Sequence, residues 1–181
     1  MYLYHATERE YALSIKKNGF RVKRNKEHWL GHGVYFYADW RMAEWWATAR
    51  PEKFGGKIVD PCIIRAYIEE SELNIINLSV YLEYYQFLSR YAEFERGAIE
   101  YLKGDKPVGL KEYQCAYMEY YARVRQADAM VAGFLPKNQP YLPSRGLLDT
   151  IKRISAEIPF IEEQICVCPQ AVNKITIMGV E

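Results

Sequence analysis

The chain has 181 residues, which suits one domain. Half of them are apolar and 15% are aromatic, so a real core can be buried. The net charge of +1 argues against a sequence-independent nucleic-acid binder. No run approaches the roughly 18–20 apolar residues that span a bilayer, so no membrane partner is expected.

Leu3 to His5 reads as a short strand. Thr7 and Glu10 match the S/T-x-x-E capping box of a helix over about 8–18, with Tyr11, Leu13 and Ile15 as its apolar stripe and Asn18-Gly19 as its stop. Phe20 to Trp29 carries Arg21, Lys23, Arg24 and Lys26 and reads as an exposed connection. Gly33 to Tyr37 is rich in aromatic and β-branched residues and reads as a strand. Asp39 suits the N-cap of a helix running to Ala49, closed by Pro51. Lys57 to Glu69 and Leu73 to Leu78 read as strands, the first with a break at Pro61.

From Ser79 the pattern turns helical. Tyr81, Tyr84, Tyr85, Leu88, Tyr91 and Ala92 recur at i, i+3, i+4 spacings to about Leu102. A turn at 103–107 leads to a second helical stretch, Lys111 to about Ala127, with Tyr113, Tyr117, Tyr120 and Tyr121. The spacing predicts a packed amphipathic hairpin inserted at about 79–128, rather than a base-stacking platform. Ala129 to Phe134 reads as a strand, Pro136 to Pro143 as a loop, and Ser144 as the cap of a short helix to about Ser155. Ile161 to Cys168 and Lys174 to Met178 are the last two strands. Short strands that do not alternate strictly with helices imply an α+β domain with mainly antiparallel pairing.

The opening residues have no basic n-region or apolar h-region, so no secretory signal is expected. Cys166 and Cys168 lack zinc-site spacing, and the three histidines do not cluster in sequence around them. Cys62, Cys115, Cys166 and Cys168 are expected to be reduced, mostly buried thiols, with no metal site. A cytoplasmic location fits that reading.

Three ordered blocks carry a resemblance. The first is His5-Ala6-Thr7, followed by Gly19-Phe20-Arg21 at the end of a helix. The second is Gly31-His32-Gly33-Val34-Tyr35-Phe36-Tyr37-Ala38, with Trp46 eleven residues beyond Tyr35. The third is Glu163-Gln164-Ile165-Cys166-Val167, followed by Ala171-Val172-Asn173. In this order the blocks resemble the catalytic domain of poly(ADP-ribose) polymerases and related ADP-ribosyltransferases of the His-Tyr-Glu type. The match covers about 1–50 and 160–178 and leaves the middle uncovered, as an insertion would.

The resemblance implies a single domain over 1–181, with split antiparallel β-sheets, flanking helices and the inserted hairpin. It implies NAD as co-substrate and transfer of one ADP-ribose unit to a protein or nucleic-acid acceptor. Small relatives of this build include bacterial toxins, so an antitoxin is an implied partner. His5, Tyr35 and Glu163 are the implied catalytic residues, and Ala6, Thr7, Arg21, Gly33, Phe36 and Trp46 the implied NAD contacts. His5 would bond the adenosine ribose, Arg21 would meet the adenosine or diphosphate end, and Tyr35 and Trp46 would sandwich the pyridine ring. Glu163 would bond the nicotinamide ribose 2′-hydroxyl and stabilise the oxocarbenium-like cation that forms as the glycosidic bond breaks. Ala6 stands where the family has glycine. Successive strand residues face opposite ways, so a one-residue slip would present Glu162 or Gln164 instead of Glu163. An NAD glycohydrolase, a catalytically silent NAD or ADP-ribose binding module, and the RNA 2′-phosphotransferase branch of the same broad fold stand beside the transferase reading.

Overall fold

A computed structural model describes residues 1–25, 28–49, 56–101, 109–135, 139–140 and 162–181. Its elements run β1 (Tyr2–Glu8), α1 (Arg9–Asn18), β2 (Val34–Tyr37), α2 (Trp40–Ala49), β3 (Pro61–Tyr67), β4 (Ile75–Asn77), α3 (Tyr81–Ser89), α4 (Tyr91–Tyr101), α5 (Leu110–Val124), β5 (Ala129–Leu135), β6 (Gln139–Pro140), β7 (Glu162–Val167) and β8 (Thr176–Val180). The class is α+β. The strand order is β4-β5-β7-β2-β1-β3-β8, with β6 paired to β5. All pairs are antiparallel except β4–β5.

The sheet is two ladders meeting at a weak seam. β1 and β3 pair over seven residues, Tyr2↔Tyr67 through Glu8↔Pro61. β2 and β7 pair over four, Val34↔Val167 through Tyr37↔Gln164. Between them, β1 and β2 pair at Tyr4↔Tyr37 alone. The ladder on one side is β4-β5-β7-β2 and on the other β1-β3-β8.

Alternating side chains divide the core between the two faces of the first ladder. Val34, Phe36, Ile165 and Val167 join Leu3, Ala66 and Ile68 in one cluster. Cys166 and Cys168 join Met130, Ala132 and the aromatic helices in another. In that second cluster Tyr117 lies 4.6 Å from Phe87 and 5.1 Å from Phe94, ring to ring. Its hydroxyl donates to the Phe87 carbonyl. The tyrosine-rich segment is therefore packed core on its inner face, while Tyr81 and Tyr85 remain exposed.

The structure corrects several expectations. Thr7 does not cap α1: β1 continues through it, pairing Thr7 with Cys62 and leaving Glu8 at the N-cap without a side-chain bond. The strand expected from Lys57 starts only at Pro61, because Asp60 takes a positive φ of 46° and the Ile58 N–H bonds back to the Ala47 carbonyl. The hairpin is three helices, since the first helical stretch breaks at Arg90, whose ψ of −3° leaves the helix. Gln139–Pro140, expected in a loop, pairs as a strand with Phe134 and Leu135. The turn at 103–107 and the short helix at 144–155 lie outside the described residues.

Candidate functional site

The three blocks singled out in sequence lie on β1, β2 and β7, neighbours in the order β7-β2-β1. His5 sits at the seam. Its Nδ1 lies 2.8 Å from the backbone oxygen of Tyr35, a tie between strands that share only one paired residue. The His5 ring also meets Phe20 at 5.4 Å and Phe36 at 5.7 Å, and Phe20 meets Phe36 at 5.2 Å, all edge-on. Burial lowers the His5 pKa from its ordinary 6.5, against a smaller opposing effect from the Tyr35 carbonyl. The ring is neutral at pH 7.

Phe20 reaches this position because α1 ends at Gly19, which takes a φ of 75° while its N–H bonds the Ile15 carbonyl at 2.8 Å. The Gly19-Phe20-Arg21 segment thus delivers an aromatic ring onto the histidine. Arg21, Lys23 and Arg24 are exposed, and Lys26 lies outside the described residues.

Asp39 caps α2 as expected. Its carboxylate accepts from the Arg41 N–H at 2.8 Å, and its carbonyl accepts from Met42 and Ala43 at 3.2 and 3.3 Å. The helix buries Ala43 and Ala47 and sets Trp46 in a cluster with Tyr4, Ala6, Tyr37 and Ile63. Ala6 and Trp46 are brought together. Tyr35 packs elsewhere, against the helical cluster, with its ring edge-on to His28 at 4.9 Å. Trp46 is flanked by Tyr37 and by its neighbour Trp45, each at 6.4 Å between ring centroids. The Tyr35 hydroxyl accepts from the Leu30 N–H and donates to the Gly31 carbonyl, both at 2.9 Å. Burial, with Cys166 alongside, raises its pKa well above 10.

The third block resolves by alternation. Gln164 is buried, 5% exposed, with both ends of its amide engaged: Oε1 accepts from Trp29 Nε1 and Nε2 donates to the Tyr37 hydroxyl, each at 3.0 Å. It is an internal bracket. Glu163 takes the opposite face, the one that carries Ile165 and its register partner Phe36, whose ring meets His5. Glu163 is half-buried and pairs across to Gly133. The side chain of Glu162 lies outside the described residues.

Gly33 has a packing reason to lack a side chain. A Cβ there would come within 2.4 Å of the Val167 carbonyl and 2.5 Å of Cys166 Sγ. Thr7 is half-buried in β1, Phe36 is core, and the four cysteines are free and buried.

No family model matches this chain, and no curated protein does either. No described helix is long and apolar enough to cross a membrane. Sequence reasoning missed the role of Phe20 and treated Gln164 only as a register alternative. Period-2 spacing puts Gln164 on the face of Cys166, but Glu163 shares its face with the equally buried Ile165 and Val167, so no local signal marked Gln164 as the buried one.

Proposed function

We propose that this chain is an NAD-dependent mono-ADP-ribosyltransferase with an ADP-ribosyltransferase-like fold. The observation that carries the reading is the adjacency of three distant sequence blocks. His5, Tyr35 and Glu163 come from positions 5, 35 and 163 and lie on three consecutive strands, β1, β2 and β7, where the His5 and Glu163 side chains share one face of the sheet and the Tyr35 side chain takes the other. The seam between β1 and β2 supports it too, since a sheet held by one residue pair is where two ladders can part around a ligand.

In this reading NAD lies against the face of the sheet that carries His5, Phe36 and Glu163, with the backbone of β1 meeting the carboxamide; Ala6, Tyr37 and Trp46 alternate onto the other face. His5, neutral and with Nδ1 committed to Tyr35, presents Nε2 to a ribose hydroxyl. Tyr35 holds its loop rather than stacking on the pyridine. Glu163 bonds the nicotinamide ribose 2′-hydroxyl. As the ribose–nitrogen bond breaks, nicotinamide leaves with the bonding pair and the ribose becomes cationic; the carboxylate stabilises that charge. An acceptor oxygen or nitrogen of a protein or nucleic acid then forms the new bond and loses a proton. A toxin role, with an antitoxin partner, belongs to the same reading.

The test is to incubate the purified chain with NAD labelled in its adenylate half, alone and with cell protein, DNA and RNA. The expected result is nicotinamide release together with label on one macromolecule class, both lost in Glu163→Ala. Free ADP-ribose without labelled macromolecule would make the protein a glycohydrolase. NAD binding without release would make it a binding module. A chain that neither binds nor cleaves NAD would overturn the reading.

A further inference from the structure

His32, Cys115 and Glu119 converge although the first is more than eighty residues from the others. Their ligand atoms all lie within 4.8 Å of one another. Cys115 and Glu119 are i and i+4 on α5 and so share one face of that helix. His32 comes from the loop that leads into β2. Its Nδ1 lies 3.6 Å from Cys115 Sγ and contacts Glu119 Oε1. We propose that these three side chains form a zinc site that ties α5 to the Gly31-His32-Gly33 loop.

One edge of the triad suits that ion, and the closer His32–Glu119 contact has to open to admit it. Zinc–sulfur and zinc–nitrogen bonds of about 2.3 and 2.0–2.1 Å at a tetrahedral angle set nitrogen and sulfur about 3.5–3.6 Å apart. The observed separation is that edge. The donor set selects against magnesium and calcium, which take oxygen ligands, and favours a borderline cation. The ion replaces the hydrogen bond that His32 and Glu119 now share, and Cys115 gives up its thiol proton on binding. His32 and Glu119 also line a cavity of about 510 Å³, together with Arg123 and Gln170. Three protein ligands leave a fourth position on that side for water.

The glycines around His32 fit the same arrangement. Gly31 has a φ of 84°, and a Cβ there would touch Glu119 Cγ at 3.4 Å. The positive φ favours glycine there, which lets the loop lie in van der Waals contact with the proposed ligand Glu119. Gly33 seats the other end of the loop against β7. Tyr35 holds the same loop through Leu30 and Gly31, so a bound ion would brace the seam from behind. The proposal stands apart from the NAD reading.

The experiment uses the full chain without a histidine tag, stripped with chelator and titrated with Co²⁺ and then Zn²⁺. One equivalent of Co²⁺ is expected, with a tetrahedral ligand-field spectrum and a near-ultraviolet sulfur-to-cobalt charge-transfer band that Zn²⁺ displaces. Cys115→Ser should lose the band. His32→Ala and Glu119→Gln should each weaken binding by roughly ten-fold or more, while Glu112→Gln leaves it unchanged. Circular dichroism of each variant separates lost binding from lost fold. A wild-type protein that takes up no Co²⁺, or shows no thiolate band, overturns the proposal without any variant. So does a band that survives in Cys115→Ser. Either result would leave His32 and Glu119 as a plain side-chain contact between the loop and α5.

Discussion

The Nδ1 atom of His5 lies 2.8 Å from the backbone oxygen of Tyr35, across the seam where β1 and β2 share a single residue pair. A carbonyl only accepts, so in the neutral ring Nδ1 carries the proton and Nε2 keeps its lone pair. The seam thus fixes both the tautomer and the direction of the free nitrogen. A hydroxyl donor, such as a ribose, is the group that nitrogen would take. The hydroxyl of the same tyrosine accepts from the Leu30 N–H and donates to the Gly31 carbonyl, so one residue links the histidine to the loop behind it.

Glu163→Gln tests the assigned charge without changing shape. The side chain is half-buried at the start of β7, away from the core bracket made by Gln164. Under the proposed transferase chemistry, nicotinamide release should fall by roughly 10²–10³-fold, the scale of losing one transition-state stabiliser. NAD affinity and thermal midpoint should stay near wild type. Retained release, measured by chromatography of free nicotinamide, would remove Glu163 from the catalytic set.

Gln164→Ala should behave oppositely. It strips a partner from the Trp29 indole N–H and from the Tyr37 hydroxyl inside a packed layer. A cost of about 1–3 kcal/mol is expected in urea unfolding. If Gln164 instead served a ligand, stability would hold and NAD binding alone would drop.

The strands carrying the three blocks were legible because their residues are locally distinctive: a histidine at a strand end, an aromatic and β-branched run, a short apolar strand before a proline. Their adjacency was not. Strand order depends on long-range pairings, such as Tyr4↔Tyr37 and Val34↔Val167, which no local pattern encodes, and the one-pair seam is a property of two ladders together. Thr7 misled because a capping box and a strand end look alike until Cys62 pairs beside it. The helix break at Arg90 has no glycine or proline to announce it, and the apolar spacing runs through it. His32 drew notice only as part of a glycine pair, because its partners, Cys115 and Glu119, are supplied by the inserted helices.

Gly33→Ala and Gly31→Ala separate two reasons for glycine. At Gly33 the new methyl would meet the Val167 carbonyl at 2.4 Å, a backbone atom that cannot rotate away. β2 must then part from β7, and a loss of roughly 1–3 kcal/mol or more is expected. At Gly31 the obstacle is the positive φ, worth about 1–2 kcal/mol for a residue with a Cβ. Equilibrium unfolding of both variants should rank Gly33→Ala as the worse. Equal or reversed costs would mean that β2 and β7 can yield at that contact.

Stability should also depend on His5 through pH. Its folded pKa is lowered from 6.5 by burial, so below pH 6.5 the unfolded chain binds a proton that the folded ring resists. The folded state therefore has the full benefit of the neutral ring above about pH 6.5 and loses it as pH falls from there toward the folded pKa. His28 is lowered too, by burial and by the neighbouring His32, and adds a slope of the same sign. His5→Asn keeps a donor near the Nδ1 position for the Tyr35 carbonyl and removes the titration; it also gives up the ring contacts with Phe20 and Phe36, so the comparison rests on the pH slope and not on the absolute midpoint. Thermal midpoints from about pH 7.5 to 5 should fall for both proteins, and more steeply for wild type. Parallel curves would mean that His5 is protonated as readily in the folded chain as in the unfolded one, and that the ring at the seam is open to water.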